Sequence, residues 1–344
     1  MNMGKHTIVL VLFAAFFVIA FGLAEWMHKE DSATSSQNVE EPSDQLFIDE
    51  PIQPIPMPAT FNADKVALGE TLFHEPRLSA DNSISCAHCH NLSTAGSDGL
   101  PRSIGIHGEE GLVNTPTVFN AGLNIAQFWD GRASTLEKQI DGPVHNPAEM
   151  GSGWSDIIAK LSTDSAYVDA FSKPYVDGVT SDNIKDAIAT FERTLITLNA
   201  PFDRFLRGET NAISAEAKQG YQIFKGFGCT SCHQGANVGG NMYQRFGVAR
   251  DYFADHPVVN QTDLGRFNVT GLEEDRHVFR VPSLRLATLT APYFHNGSAD
   301  TLEEAIRIMA KYQLDRKISE HEIKMVISFL GSLVGEYKGS RLQP

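Results

Sequence analysis

The chain repeats part of its own sequence. Residues 116–140 align without a gap to residues 282–306. The shared pattern is P-[TS]-[VL]-x-x-A, six variable positions, and then F-[WH]-[DN]-G-x-A-x-T-L-E-x-x-I. Further upstream, the pentapeptide GETLF at Gly69 resembles GYQIF at Gly220. Because there are only two copies, the pattern predicts a domain duplication and not a solenoid, which needs more repeats.

Apolar residues at helical spacing occur in both halves of the chain. The two sets are Ile184, Ile188, Phe191 and Leu195, and Ile323, Val326, Ile327 and Leu330. Ser319 and Glu322 form a capping-box pattern before the last helix. Strand signals are sparse, and 344 residues with 42% hydrophobic side chains are enough for two cores. We therefore predict an all-α fold with domains at 61–200 and 201–344, divided near Pro201.

The N-terminus carries a targeting pattern. Lys5 and His6 precede an uncharged run from Thr7 to Ala24, and Gly22-Leu-Ala has the small-x-small form of a cleavage site. Residues 1–24 are therefore predicted to be an export signal. The run is also long enough to span a bilayer, so an uncleaved anchor is an alternative. Residues 25–60, which are polar and then proline-rich, are predicted to form an extended linker.

The charge of the chain limits its partners. A formal net charge of −14 argues against nucleic acid, whose phosphates require clustered Lys and Arg. The charge is compatible with a basic protein partner, and equally with a surface that is acidic for solubility alone.

All four cysteines lie in two C-x-x-C-H pentapeptides, Cys86 to His90 and Cys229 to His233. In this pattern Cys86 and Cys89, or Cys229 and Cys232, form thioethers to the vinyl groups of a haem, and the adjacent histidine becomes an axial iron ligand. A zinc site needs a second ligand pair, and a thiol-disulfide motif needs no trailing histidine. We therefore predict a cytochrome c-like domain in each half, each with one covalent c-type haem.

The sixth iron ligands are predicted to differ. Met309 follows the second repeat on a helical continuation, where its thioether would complete a His/Met haem; a core methionine is the alternative. The duplicated register places Pro143 at this position in the first half, where Gly142-Pro143 is predicted to break the helix. Proline cannot bind iron, so the first haem must use another ligand or keep an open position.

Three residues are candidates for that other ligand: His107, His145 and Met150. His107 lies in a glycine-rich loop, which allows movement, although an ordinary surface histidine fits the sequence equally well. An open iron beside a second haem is suited to activating a small oxidant. Peroxide cleavage also needs a group that moves a proton between the two oxygens, and Glu149 is a candidate, although most glutamates are simply solvated.

With these residues in view, the chain closely resembles the bacterial di-haem cytochrome c peroxidases from about Phe61 to Glu336. The matching stretches are LGETLFHEPRLSADNSISCAHCHN, NTPTVFNAGLNIAQFWDGR, GPVHNPAEM, GCTSCHQGANVGG, LTAPYFHNG and IRIMAKYQL. The resemblance implies a periplasmic enzyme that reduces hydrogen peroxide with electrons from a small cytochrome c or a cupredoxin. We also expect a homodimer.

The resemblance also implies roles for single residues. His90 and His233 would be proximal ligands, Met309 the distal ligand of the electron-transferring haem, and His107 the displaceable ligand of the peroxidatic haem. Glu149 would be the acid-base residue. Trp129 would lie between the haems, with His295 as its counterpart in the other half, although both side chains could equally be core aromatics.

The resemblance further implies calcium between the domains, bound by Asn114, Thr290 and Pro292 with water completing the shell. One departure from the family pattern is the additional residue Ile106 before His107, which places the resting ligation of this loop in doubt.

Two other functions are compatible with the haem motifs. A di-haem electron carrier would keep both irons six-coordinate in every redox state. An oxidase of protein side chains, like the enzyme that matures methylamine dehydrogenase, has tyrosine in the position of Met309. Tyr312 lies close to that position in this chain.

Overall fold

We analysed a computed structural model of the protein, in which residues 50–256 and 260–343 are described. The predicted signal or anchor, residues 1–24, and most of the predicted linker lie outside these ranges. Within them, no helix is long and apolar enough to cross a membrane.

The described part of the chain is mainly helical, in agreement with the predicted class. The helices are α1 (Ala63–Phe73), α2 (Cys86–Cys89), α3 (Leu136–His145), α4 (Trp154–Ser162), α5 (Ser165–Ser172), α6 (Ser181–Glu192), α7 (Pro201–Leu206), α8 (Ala215–Phe227), α9 (Tyr252–Asp255), α10 (Phe267–Thr270), α11 (Leu302–Leu314) and α12 (Glu320–Gly331). Short strands pair antiparallel as β1 (Tyr243–Arg245) with β2 (Val278–Arg280) and β3 (Glu336–Tyr337) with β4 (Ser340–Arg341). The predicted capping box of Ser319 and Glu322 at the start of α12 is confirmed.

Two helix pairs form the centres of the structure, α1 with α6 and α8 with α12. In each pair a glycine permits close approach. A Cβ added at Gly69 would lie 2.0 Å from the carbonyl oxygen of Ala187, and one added at Gly220 would lie 1.9 Å from that of Met325. Only a residue without a side chain fits at these crossings. This is the physical reason for glycine in the similar pentapeptides GETLF and GYQIF.

The two copies of the repeat also have matching backbones. Phe128 and Phe294 both adopt the left-handed conformation, with φ of 67° and 70°. Isolated bridges join Gln127 to Ala133 and Tyr293 to Ala299. The helices α3 and α11 then begin in the same way, because the Thr135 and Thr301 side chains accept hydrogen bonds from backbone amides of the first turn.

The copies differ after the helices have begun. α11 has 13 residues, whereas α3 has 10 and contains Pro143. The predicted break at Gly142-Pro143 is therefore wrong, since α3 continues to His145. Proline removes only its own amide hydrogen bond, and the amide of Asn146 still donates to the carbonyl oxygen of Gly142 at 3.0 Å.

Residues 50–56 are packed, although they fall within the predicted linker. Ile52 and Ile55 are 0% and 1% exposed. The amide of Ile55 donates to the carboxylate of Asp203 at 3.2 Å, and Ile52 pairs with Gly235 close to the second cysteine motif. This part of the expected linker therefore belongs to the core. The division near Pro201 stays a prediction; α7 begins at that residue.

Candidate active site

Each C-x-x-C-H motif folds as a single turn. The amide of His90 donates to the carbonyl oxygen of Cys86, and the amide of His233 to that of Cys229, both at 2.9 Å. The second turn directly follows α8, which ends at Gly228 in the left-handed conformation. Each turn places two sulfur atoms and one imidazole on the same short segment, which is the arrangement that covalent haem attachment requires.

The electrostatics of these turns suit iron ligation. Burial lowers the pKa of His90 below its usual value and that of His233 to about 4, so both imidazoles are neutral, the form that binds a metal. His90 Nδ1 lies 3.3 Å from the carbonyl oxygen of Gly96, an acceptor that favours a proton on this nitrogen and leaves Nε2 free. Burial also raises the pKa of the Cys86 thiol to about 12, so this thiol is neutral.

The second motif opens onto the larger of two cavities, with a volume of about 480 Å³. Cys229, Cys232 and His233 line it, and α11 contributes Met309. The remaining lining is mostly apolar, and the volume falls within the range of ~300–1,000 Å³ typical of cofactor pockets. Tyr312 does not line this cavity; its side chain is buried elsewhere, and its hydroxyl donates to Asp255 at 2.8 Å.

The first motif opens onto a smaller cavity of about 160 Å³. Cys86, Cys89 and His90 line it. Pro143, the counterpart of Met309 in the repeat, lines this cavity. Glu149 and Met150 also belong to its wall.

The structure does not bring the two candidate histidines to this cavity. The His107 side chain is 68% exposed, with Nδ1 3.8 Å from the carboxylate of Asp81. His145 is also exposed and lies edge-on to Trp154, with ring centroids 6.1 Å apart. Of the three ligand candidates only Met150 lines the cavity, where it packs in the core. Ligation by His107 stays a prediction.

The additional residue Ile106 has a clear structural role. Its side chain is 4% exposed, and its amide donates to the carbonyl oxygen of Glu149 at 2.9 Å. A Cβ at the neighbouring Gly105 would lie 2.1 Å from the carbonyl oxygen of Ala148. The loop that carries His107 is therefore joined to the segment that carries Glu149, and His107 itself has φ of 58°.

Glu149 combines access to the cavity with an altered acidity. Burial raises the pKa of its carboxyl group above the usual value, although a hydrogen bond from Asn146 and the charge of Arg132 act in the opposite direction. Asn146 Nδ2 donates to Glu149 Oε1 at 2.6 Å, which fixes the orientation of the carboxyl group. A raised pKa makes the carboxylate a stronger base, which suits it to accepting and then returning a proton.

Trp129 lines both cavities. Its indole nitrogen donates to the carbonyl oxygen of Asn114 at 2.9 Å, and the amide of Asn114 donates to the carbonyl oxygen of His295 at the same distance. The Trp129 and His295 rings meet edge to face, with centroids 6.4 Å apart. Trp129 and His295, which occupy equivalent positions in the two repeats, are thus neighbours in space.

The three residues expected to bind calcium all line the larger cavity. They are Asn114, Thr290 and Pro292. Asn114 Nδ2 donates to the carbonyl oxygen of Leu100 at 2.9 Å, which leaves Oδ1 available as a ligand. In residues 50–256 and 260–343, no three His, Cys, Asp or Glu side chains cluster as a metal site. Any calcium here would therefore depend on neutral oxygen ligands.

Three buried charged groups, two in the cavity walls and one bonded to the wall residue His295, were missed at the sequence level. Asp263 accepts a hydrogen bond at 2.7 Å from His295 Nε2 across 32 residues of sequence. Burial raises the pKa of Asp263, but hydrogen bonds from His295 and the Asn260 amide outweigh this and keep it low. Glu192 and Arg280 line the cavities. None of them belongs to a local motif, and each is brought to its place by tertiary folding.

A helical chain with two C-x-x-C-H turns at two cavities defines a c-type cytochrome with two haem motifs. The family model for di-haem cytochrome c peroxidase matches residues 63–211. The chain is 44% identical to cytochrome c551 peroxidase of Nitrosomonas europaea over 298 residues, covering 86% of this chain and 88% of that protein. It is 45% identical to cytochrome c peroxidase Ccp of Escherichia coli strain K12 over 320 residues, covering 93% of this chain but only 66% of the longer relative.

A MauG-like protein associated with microbial copper homeostasis has a similar structure, with a TM-score of 0.72 and 25% identity over 87% of this chain and 95% of that one. These similarities place the chain in a family. It belongs to the di-haem cytochrome c peroxidases, whose members carry two c-type haems, and it is an oxidoreductase of the peroxidase type.

Proposed function

We propose that the protein is a periplasmic enzyme that reduces hydrogen peroxide to water with electrons from a small cytochrome c or a cupredoxin. Each half carries one covalent haem on a duplicated domain. The observation that carries this proposal is the difference between the two cavities: Met309 lines one, and Pro143 with Glu149 lines the other. Peroxide therefore binds at the His90 side, and electrons enter at the His233 side.

The chain holds its haems in the same way in both halves. The cysteine pairs would form the thioethers to the haems, and the neutral imidazoles of His90 and His233 would bind their irons. At the larger cavity Met309 would add a thioether sulfur, and a histidine-methionine combination favours a high reduction potential. When bound, the haems supply the redox chemistry that cleaves the O–O bond and delivers electrons.

Glu149 supplies the proton transfer. Its carboxylate accepts a proton from the peroxide oxygen nearer the centre of the cavity and returns it to the oxygen that leaves as water. The overall reaction takes up two electrons and two protons per peroxide and forms two waters. Burial makes the carboxyl group a stronger base than an exposed glutamate, and Asn146 holds it in one orientation.

Calcium is proposed to bind Asn114 Oδ1 and the backbone carbonyls of Thr290 and Pro292, with water as the remaining ligands. The backbone carbonyl of Asn114 holds the Trp129 indole, and Thr290 and Pro292 line the same cavity. Binding of the ion would thereby restrain Trp129, which lies at both cavities. We propose that this aromatic side chain couples the two halves.

His107 is proposed as the displaceable ligand of the peroxidatic haem. Reduction of the Met309 side, together with calcium, would release it. Ile106 is buried and bonded to Glu149, so movement of His107 would be confined to the loop beyond this anchor. An export signal or anchor within residues 1–24 and a homodimer complete the proposal.

Steady-state turnover of hydrogen peroxide with a reduced small cytochrome c tests the activity. The spectrum of the half-reduced, calcium-loaded protein tests the site, because a high-spin first haem is expected only in the enzyme. A protein that never binds cyanide or peroxide at the His90 iron in this state would instead be an electron carrier. The position of Tyr312 away from the larger cavity gives no support to a side-chain oxidase.

A further inference from the structure

Arg280 is a buried cation at the wall shared by the two cavities. It lies at the end of β2, is 3% exposed, and lines both cavities. Its amide donates to the carbonyl oxygen of Trp129 at 2.8 Å, and its side-chain Nε lies 3.3 Å from the carbonyl oxygen of Phe128. The side chain is thus tied to the segment that carries Trp129.

The Arg280 guanidinium has no counter-charge in the part of the protein that the structure describes. Within the described ranges, no carboxylate lies within the 4.0 Å of an ion pair with Arg280. The nearby Arg285 is equally buried but has a full set of partners: its guanidinium pairs with Asp203 at 2.9 Å and donates to the carbonyl oxygens of Ala236 and Gln53. Among the described residues, the two buried arginines therefore differ: Arg285 has a carboxylate partner and Arg280 has none.

A buried charge without a partner is costly. The effective penalty is several kcal/mol per ion, so a lone guanidinium is retained where it meets an anion. Burial lowers the pKa of Arg280 to about 10, which still leaves it cationic at neutral pH. Among the described residues, only Nε of the Arg280 side chain has a protein acceptor, so its remaining N–H groups are available at the cavities.

The anion must be one that enters these cavities. The haems of this family carry propionate carboxylates, and guanidinium groups bind carboxylates in a planar, two-point geometry. We propose that Arg280 binds haem propionate at the shared wall of the two cavities, and so holds the cofactor and the Trp129 segment in one arrangement. This inference rests on the haem content of the family and does not depend on peroxidase activity.

The proposal has a consequence for the haem potentials. A cation beside a propionate offsets negative charge near the iron, which disfavours the oxidised state and raises the reduction potential. Replacement of Arg280 by Gln removes this charge and should lower the midpoint potential of at least one haem. Lysine keeps the charge but not the two-point geometry, so R280K should give a smaller shift than R280Q.

The test uses the full-length holoprotein with both haems attached. Redox titration of R280Q, R280K and the wild type gives the midpoint potential of each haem, and resonance Raman spectra report the propionate bending modes. We expect lower potentials and shifted propionate modes in R280Q, with intermediate changes in R280K. Arg276, which is partly exposed, pairs with Glu273 and lines neither cavity, provides the control, and R276Q should leave both readouts unchanged.

Unchanged potentials and propionate modes in R280Q would overturn the proposal. If R280Q does not accumulate with both haems, R280K decides the question, and propionate modes identical to the wild type would overturn it. Both measurements are made without peroxide. A negative result here therefore leaves the proposed peroxidase function untouched, and loss of peroxide turnover alone says nothing against Arg280.

Discussion

The two cavities are built on closely matching backbones and differ at a few side chains. Phe128 and Phe294 share an unusual φ, and Thr135 and Thr301 cap the following helices. Farther along, the larger cavity has Met309 and the smaller has Pro143. The equivalent position on the two helices thus carries a thioether sulfur at the larger cavity and a proline at the smaller one.

A second difference lies on the helices opposite. Gly69 packs against Ala187 and Phe191 of α6, and Gly220 packs in the same way against Met325 and Phe329 of α12. The residues that follow these phenylalanines, Glu192 and Leu330, are therefore counterparts in the two helix pairs. Both of these following residues line their cavities. The smaller cavity therefore has a buried carboxyl group where the larger has a hydrocarbon side chain. Glu149 and Glu192, the two carboxyl groups in the described lining of these cavities, thus both lie at the smaller one.

The largest expected effect concerns Met309. Replacement by leucine removes the sulfur but keeps an apolar side chain of similar size, so the second haem should lose its high potential and reductive activation should be abolished. Redox titration and peroxide turnover measure both effects. M325L on α12, at a residue that lines neither cavity, is the matched control. Unchanged activity in M309L would count against the assignment.

Next in size is the effect at Glu149. Proton transfer by a positioned side chain contributes roughly 10²–10⁴-fold, and E149Q should reduce kcat/KM for peroxide by about this factor. The potential of the Met309 haem should not change, because the substitution affects only the smaller cavity. E109Q, at an exposed glutamate on the neighbouring loop, should retain activity. Equal rates for E149Q and the wild type would contradict the proton-transfer role.

The comparison of Glu192 with Leu330 predicts a pH dependence of stability. Burial raises the pKa of Glu192 to about 8, above its ordinary value of 4.5. The folded protein therefore binds the proton more tightly than the unfolded chain, and its stability falls as pH rises from about 4.5 to about 8. E192Q cannot ionise, so this part of the decline, a few kcal/mol at most, should disappear.

Chemical denaturation of the holoprotein at several pH values between 5 and 9 measures this effect, with pH 5–9 chosen as roughly the window in which the group titrates. The slope of the free energy of unfolding against pH is the relevant quantity, because the buried amide of glutamine changes that free energy by an amount that does not vary with pH. Parallel stability curves for E192Q and the wild type would show that Glu192 is not protonated in the folded state.

The smallest expected effect concerns the contact between the two loops of the smaller cavity. The added Cβ of G105A would meet the carbonyl oxygen of Ala148 at 2.1 Å, so the backbone must shift. Overpacking of this kind costs about 1–3 kcal/mol. Thermal denaturation should show lower stability, and spectra should show altered ligation at the first haem. G153A is the control, since a Cβ at Gly153 meets nothing within 4 Å.

Much of the site was predictable because its chemistry is local. The C-x-x-C-H motifs place sulfur and imidazole within one turn, and the repeat exposes Pro143 as the counterpart of Met309. The helix break at Gly142-Pro143 was predicted wrongly, because one missing hydrogen bond near a helix end does not terminate the helix. Residues 50–56 were assigned to a linker because proline content conceals how well Ile52 and Ile55 fit a core formed elsewhere.

The sequence by itself determined the haem motifs, the helical class, the repeat and the position at which the two halves differ, since each depends on residues close together in the chain. Only the tertiary structure decided that Asp263 pairs with His295, that Arg280 lies at both cavities with no carboxylate partner in residues 50–256 and 260–343, and that Ile106 joins its loop to Glu149. Burial and pairing of charges depend on residues far apart in sequence, and no local pattern encodes them.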